Sequence, residues 1–136
     1  MKRRNWLLSP LFFAGCRKEA ELPRDLFPES VAGSWRRGEV HDLPVSEAPD
    51  PVPRNEVERL REASYQGPGK LQARVYRLSS AAVGTLLAQR WRPSADTVFF
   101  EVGRYFVVVK WQAADRKALQ EFLYDLENRL TAATKR

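Results

Sequence analysis

The sequence predicts an α+β fold, a small antiparallel or mixed sheet with helices packed on one face, and three stretches carry that expectation. From Leu71 to Leu78 apolar residues alternate with polar ones, the period of a half-buried strand. From Thr97 to Trp111 two β-rich runs flank Gly103-Arg104, and from Leu119 to Leu130 apolar residues recur at helical spacing. A chain of 136 residues, 43% hydrophobic and 29% charged, is long enough for one packed domain and has the composition of a folded one.

Taken in order, residues 17 to 34 hold Pro23, Pro28 and Gly33 among mixed residues and read as a tether. The domain is expected over 35–131. Trp35 to Val40 suits a strand whose Arg36 and Arg37 mark a sheet edge. Pro44, Pro49, Pro51 and Pro53 make the next stretch an extended loop. Asn55 can cap a short helix running to about Ser64, with Val57 and Leu60 inward and Glu58, Arg59, Arg61 and Glu62 outward. Gly67-Pro68-Gly69 is a turn. Ser79 or Ser80 can cap a helix through Trp91 that turns Ala82, Val83, Leu86 and Leu87 to the core, although Gly84 weakens it.

Gly103-Arg104 is a two-residue connection with Gly first, as a type II′ hairpin requires, and it sets Val102 opposite Tyr105. Val98, Phe100, Val102, Tyr105, Val107, Val109 and Trp111 then share one apolar face. The other face carries Thr97, Phe99, Glu101, Phe106, Val108 and Lys110. Uncovered, Phe99, Phe106 and Val108 would form a partner surface; cover by the rest of the chain is the alternative. Asp115 caps the last helix, with Leu119, Phe122, Leu123, Leu126 and Leu130 inward, and a flexible tail is expected over 132–136.

The amino terminus carries an address. Met1 is followed by Lys2-Arg3-Arg4, then by an apolar run from Trp6 to Gly15 interrupted by Pro10, then by Cys16, the only cysteine. This is the charged-then-apolar order of an export signal, and about ten apolar residues are too few to span roughly 30 Å of hydrocarbon. Phe13-Ala14-Gly15-Cys16 resembles the bacterial lipobox, with Phe13 where Leu is usual. That resemblance implies cleavage between Gly15 and Cys16, acylation of Cys16, a membrane-lipid partner, and residence in the cell envelope facing the periplasm or the exterior. Arg17 after the cysteine is compatible with an outer-membrane location where two membranes exist. Arg3-Arg4 with Asn5-Trp6-Leu7 also looks like a loose twin-arginine signal, which leaves the export route open.

The formal charge of +6 comes from 23 basic and 17 acidic residues. Removing residues 1–15 leaves 20 basic against the same 17, or +3, without a dense basic run, so nucleic-acid binding is not expected. A single cysteine and a single histidine, His41, exclude a zinc cluster and an internal disulfide. No cofactor is expected. His41-Asp42 invites a Ser-His-Asp reading, but adjacent side chains on an extended backbone point to opposite faces. Glu56, Glu58 and Glu62 alternate with arginines as a solvated helix face would. Glu101, inside an apolar strand, is the one acid that suits a hydrolase; an outward strand residue near Lys110 is the alternative. Gly67-Pro68-Gly69-Lys70 lacks the Walker spacing and loses an amide donor at Pro68. Trp35, Trp91 and Trp111 suit packing better than sugar stacking.

The segments Leu26-Phe27-Pro28-Glu29-Ser30-Val31-Ala32-Gly33-Ser34-Trp35, Ala63-Ser64-Tyr65, Ala73-Arg74-Val75-Tyr76-Arg77-Leu78 and Ala81-Ala82-Val83-Gly84 resemble an uncharacterised family of exported bacterial proteins, domain of unknown function 6599. The resemblance implies export and no known activity. Three functions are therefore carried forward: a lipid-anchored, non-catalytic binding or assembly module with an envelope protein as partner, an envelope hydrolase using Glu101, and an unprocessed cytosolic domain.

Overall fold

A computed structural model describes residues 22–92 and 94–135. Six strands form one antiparallel sheet: β1 (Ser30–Val31), β2 (Trp35–Asp42), β3 (Val57–Gly67), β4 (Gly69–Leu78), β5 (Thr97–Val102) and β6 (Tyr105–Gln112). Their spatial order is β1-β2-β3-β4-β6-β5. Two helices complete the fold, α1 (Ala81–Arg90) between β4 and β5 and α2 (Arg116–Thr134) after β6. It is an α+β architecture.

The helices lie on opposite faces of the sheet rather than on one. On the first face α2 packs Leu119, Phe122, Leu126 and Leu130 against Tyr65, Ala73, Val75, Val107 and Val109. On the second, Leu87 of α1 joins Leu60, Tyr76, Leu78 and Phe106. The sequence shows why one-sided cover fails: both Val75 and Tyr76 on β4, and both Phe106 and Val107 on β6, are apolar, so neither face can be left to water. Both helices start on the caps their residue types favour. Ser80 accepts from the Val83 amide at 3.4 Å and Asp115 from the Ala118 amide at 3.0 Å. Leu87 of α1 is buried, but Leu86 is 55% exposed and Ala82 is exposed too, because this short helix presents a narrower stripe than its spacing allows.

The segment expected to be a helix from Asn55 is instead a short 3-10 turn, Arg54–Glu56, leading into β3. Val57 and Leu60 are three residues apart, which on a regular strand would put them on opposite faces. An irregularity in the pairing between Val57 and Arg59 inserts the extra residue that returns both to the second face. A bulge thus imitates helical spacing. Of the charges that suggested a solvated helix face, Arg59 stays exposed and the other three find partners across strands: Glu58 with Arg77 at 2.9 Å, Glu62 with Arg74 at 2.5 Å, and Arg61 with Asp42 at 2.7 Å.

From Leu22 onward the expected tether is part of the core. Leu22, Leu26, Phe27 and Val31 pack under α2 with Tyr65 and Trp35. Their backbone is tied down by side chains of the sheet, since Arg61 donates to the Pro23 carbonyl, Arg37 to that of Phe27 and the Tyr65 hydroxyl to that of Pro28. Pro23 and Pro28, which looked like tether composition, are the acceptors of two of these bonds. The expected tail also shortens, as α2 continues to Thr134 and Ala133 packs against the core.

The Gly67-Pro68-Gly69 turn is wedged between two backbones. A Cβ on Gly67 would lie 2.2 Å from the Ser34 carbonyl oxygen, and one on Gly69 would lie 2.5 Å from Cα of Ala114. Gly103 has φ 56 and opens the β5–β6 connection, where Val102 faces Tyr105.

Truncating Leu26 should therefore cost about 2–5 kcal/mol, as for other buried leucines, whereas truncation of a true tether residue would cost almost nothing. Chemical denaturation of Leu26→Ala against the wild type measures this. Phe122→Ala, which removes the ring that meets Trp35 and Tyr65 edge-on, should cost about 3–5 kcal/mol in the same assay.

Candidate functional site

The site begins with what α1 leaves uncovered. The helix crosses the second face at the end where β4 finishes and β5 turns, and Trp91 just beyond it stacks near Phe106 at 5.4 Å and Phe99 at 6.1 Å. Phe99 and Phe106 themselves lie 5.8 Å apart. Phe106 is fully buried in one cluster with Ala48 and Val52 from the proline-rich loop, and Phe99 and Val108 pack at its margin with Leu43 and Val45. Of the expected partner surface, Phe106 is thus internal, covered by the loop and α1, while Phe99 and Val108 are half-buried and Val108 borders a surface hollow.

Past Trp91 the same face turns polar. Registry across four strands sets Ser64 opposite Gln72, Gln72 opposite Lys110, and Lys110 opposite Thr97. One step further out, Gln66 faces Lys70 and Lys70 faces Gln112. These rows flank a groove of about 570 Å3 at Lys70, Gln72, Lys110 and Trp111, and a smaller hollow of about 290 Å3 bounded by Arg74, Trp91 and Thr97. Lys70 and Lys110 are exposed, and neither has a carboxylate partner within 4.0 Å among the described residues. Chemically the groove combines amide and ammonium groups with the Asp96 carboxylate, which accepts from the Thr97 and Ser94 hydroxyls, so it offers donors and an acceptor to a polar ligand. Pairing between β4 and β6, residues nearly forty apart, creates it; only its Thr97 and Lys110 positions were visible in the hairpin pattern.

The residues that suggested catalysis are dispersed. His41 is exposed with Nε2 3.2 Å from Glu39, while Asp42 accepts from Arg61. Among the described residues no serine hydroxyl is bonded to His41 or Asp42. Glu101 is exposed, opposite Phe106 rather than Lys110, and accepts from the Thr85 hydroxyl at 3.2 Å. Glu56 accepts from Ser79 and Glu58 is held between Arg77 and Arg104, so both carboxylates are already engaged. No group of three or more His, Cys, Asp or Glu side chains placed to hold a metal ion occurs among the described residues. Gly67, Gly69 and Lys70 do border a hollow of about 420 Å3 with Gln66, Gln112 and Ala113, but Pro68 brings no amide donor to it and the Asp115 amide binds the Pro68 carbonyl. Trp35 is fully buried and donates to the Ala118 carbonyl at 2.9 Å; Trp91 and Trp111 are half-buried in the two clusters. Gly15 and Cys16 lie outside the described residues. No described helix is long and apolar enough to cross a membrane.

Compared with protein-family models, with curated proteins and with solved structures, the chain matches none of them.

Burial pushes the Tyr65 phenol from 10.0 up to about 12, against a lesser opposing pull from Arg37. Its hydroxyl also donates to Pro28, a bond only the protonated form makes. A raised folded pKa means stability that is complete below pH 10 and lost as pH climbs toward 12. Burial raises Tyr76 as well. Alkaline unfolding followed by circular dichroism should fall in that window, and Tyr65→Phe should flatten part of the dependence. Glu101→Gln, at an exposed position, should change stability by less than about 0.5 kcal/mol in a denaturant titration.

Proposed function

We propose that this protein is a lipid-anchored, non-catalytic binding or assembly module of the cell envelope. The observation that carries the reading is the order Lys2-Arg3-Arg4, apolar run, Ala14-Gly15-Cys16, with a folded domain already under way at Leu22. Two or three acyl chains on one cysteine give stable anchoring where a single chain would not, at about 0.8 kcal/mol per buried methylene. The resemblance to exported proteins at Leu26–Trp35 and Ala73–Leu78 supports the location and adds no activity.

The module's contact surface is the open polar part of the sheet, Ser64, Gln72, Lys110 and Thr97, in place of the aromatic patch considered from sequence. The dispersal of His41, Asp42 and Glu101 favours binding over the hydrolase alternative. An envelope protein that presents acidic or amide groups would suit these donors.

Feeding cells an alkyne-bearing fatty acid and isolating the protein tests the anchor. The wild type should take up label and Cys16→Ser should not. Equal labelling of the two would remove the lipoprotein reading and leave the unprocessed cytosolic domain as the better account.

A further inference from the structure

We propose that the arginine-rich end of the sheet, where the chain enters the fold, lies against the anionic headgroups of the membrane that holds Cys16. This rests on the reading of Cys16 as the acylated residue. Leu22 lines a groove of about 450 Å3 together with Arg24, Asp42, Glu58, Arg59 and Arg61. The entry point is fixed there, because Leu22 packs in the core and Arg61 holds the Pro23 carbonyl at 3.0 Å.

Both carboxylates of that groove are already engaged. Asp42 is paired with Arg61, and Glu58 is shared by Arg77 at 2.9 Å and Arg104 at 3.6 Å. Arg24 and Arg59 are exposed and have no carboxylate within 4.0 Å among the described residues. Three guanidinium groups and two already-paired carboxylates thus line the chain's point of entry, and among the described residues Arg24 and Arg59 are left without a carboxylate. The intervening Arg17-Lys18-Glu19-Ala20-Glu21 carries two charges of each sign, so the excess belongs to the folded end rather than to the linker.

Geometry selects this end over the other. Six peptide steps from Cys16 to Leu22 reach at most about 20 Å. Attraction between basic side chains and anionic lipid fades within a Debye length of about 8 Å at physiological ionic strength. Arg61, which holds the entering chain, lies opposite Val75 of β4, five residues and about 17 Å from Lys70. When the arginine end rests on the headgroups, the lysine groove therefore projects away from the bilayer, toward anything else in the envelope. Anchor and basic patch supply the two signals that fix orientation as well as attachment.

The test uses the mature, acylated protein in vesicles of phosphatidylethanolamine and phosphatidylglycerol that carry a headgroup nitroxide. A bimane label is placed on His41→Cys near the arginine end or on Gln112→Cys near the lysine groove. Quenching at position 41 should exceed that at 112 several-fold. The difference should shrink in Arg24→Glu/Arg59→Glu and in phosphatidylcholine vesicles. A protein that floats with the vesicles yet shows equal quenching at both positions, or more at 112, overturns the orientation and leaves the anchor intact. A wild type that floats no better than Cys16→Ser overturns the anchor and the orientation together.

Discussion

Strands β4 and β6 are apolar on both faces, and the other elements take their places because of it. Val75, Val107 and Val109 point one way while Tyr76 and Phe106 point the other, all of them essentially removed from water. A sheet of this kind needs cover on each side. One helix is too small for both, so α2 takes the first face and α1, helped by Ala48 and Val52 of the proline-rich loop, takes the second. The same need recruits Leu22, Leu26, Phe27 and Val31, which join α2 in closing the first face.

Where apolar cover ends, function has room. The second face runs out of cover beyond Trp91, and the side chains there change from aromatic to Gln72, Lys110 and Thr97 without any break in the strands. Rigid β-pairing holds these groups in register at little conformational cost, which suits a recognition surface better than a loop would. Apart from Arg59, the charges of β3 are by contrast spent within the fold. Glu58, Arg61 and Glu62 each meet an opposite charge on a neighbouring strand, and the half-buried Glu62–Arg74 pair borders the polar rows.

The proposed anchor and the fold meet at Leu22. If Cys16 carries lipid, only a few residues separate the bilayer from a packed domain, and the short connection turns a lipid address into a constraint on which way the domain faces. The sheet's two ends then differ in role: guanidinium groups surround the entering chain, and ammonium and amide groups line the far groove.

Local features were legible in the amino-acid sequence. Ser80 and Asp115 cap their helices because a side-chain oxygen and a nearby amide suffice, and Gly103-Arg104 sets Val102 against Tyr105 because a two-residue connection fixes registry by itself. The charged and apolar order ahead of Cys16 is likewise complete within sixteen residues. What the tertiary structure decided is non-local. Whether Val57 and Leu60 belong to a helix or a bulged strand, whether residues 22–34 tether or pack, whether Phe106 is bare, and where Gln72 meets Lys110 all depend on partners far along the chain. Spacing within one segment cannot encode those partners, because burial is settled only when the two faces of the sheet compete for the apolar area available to cover them.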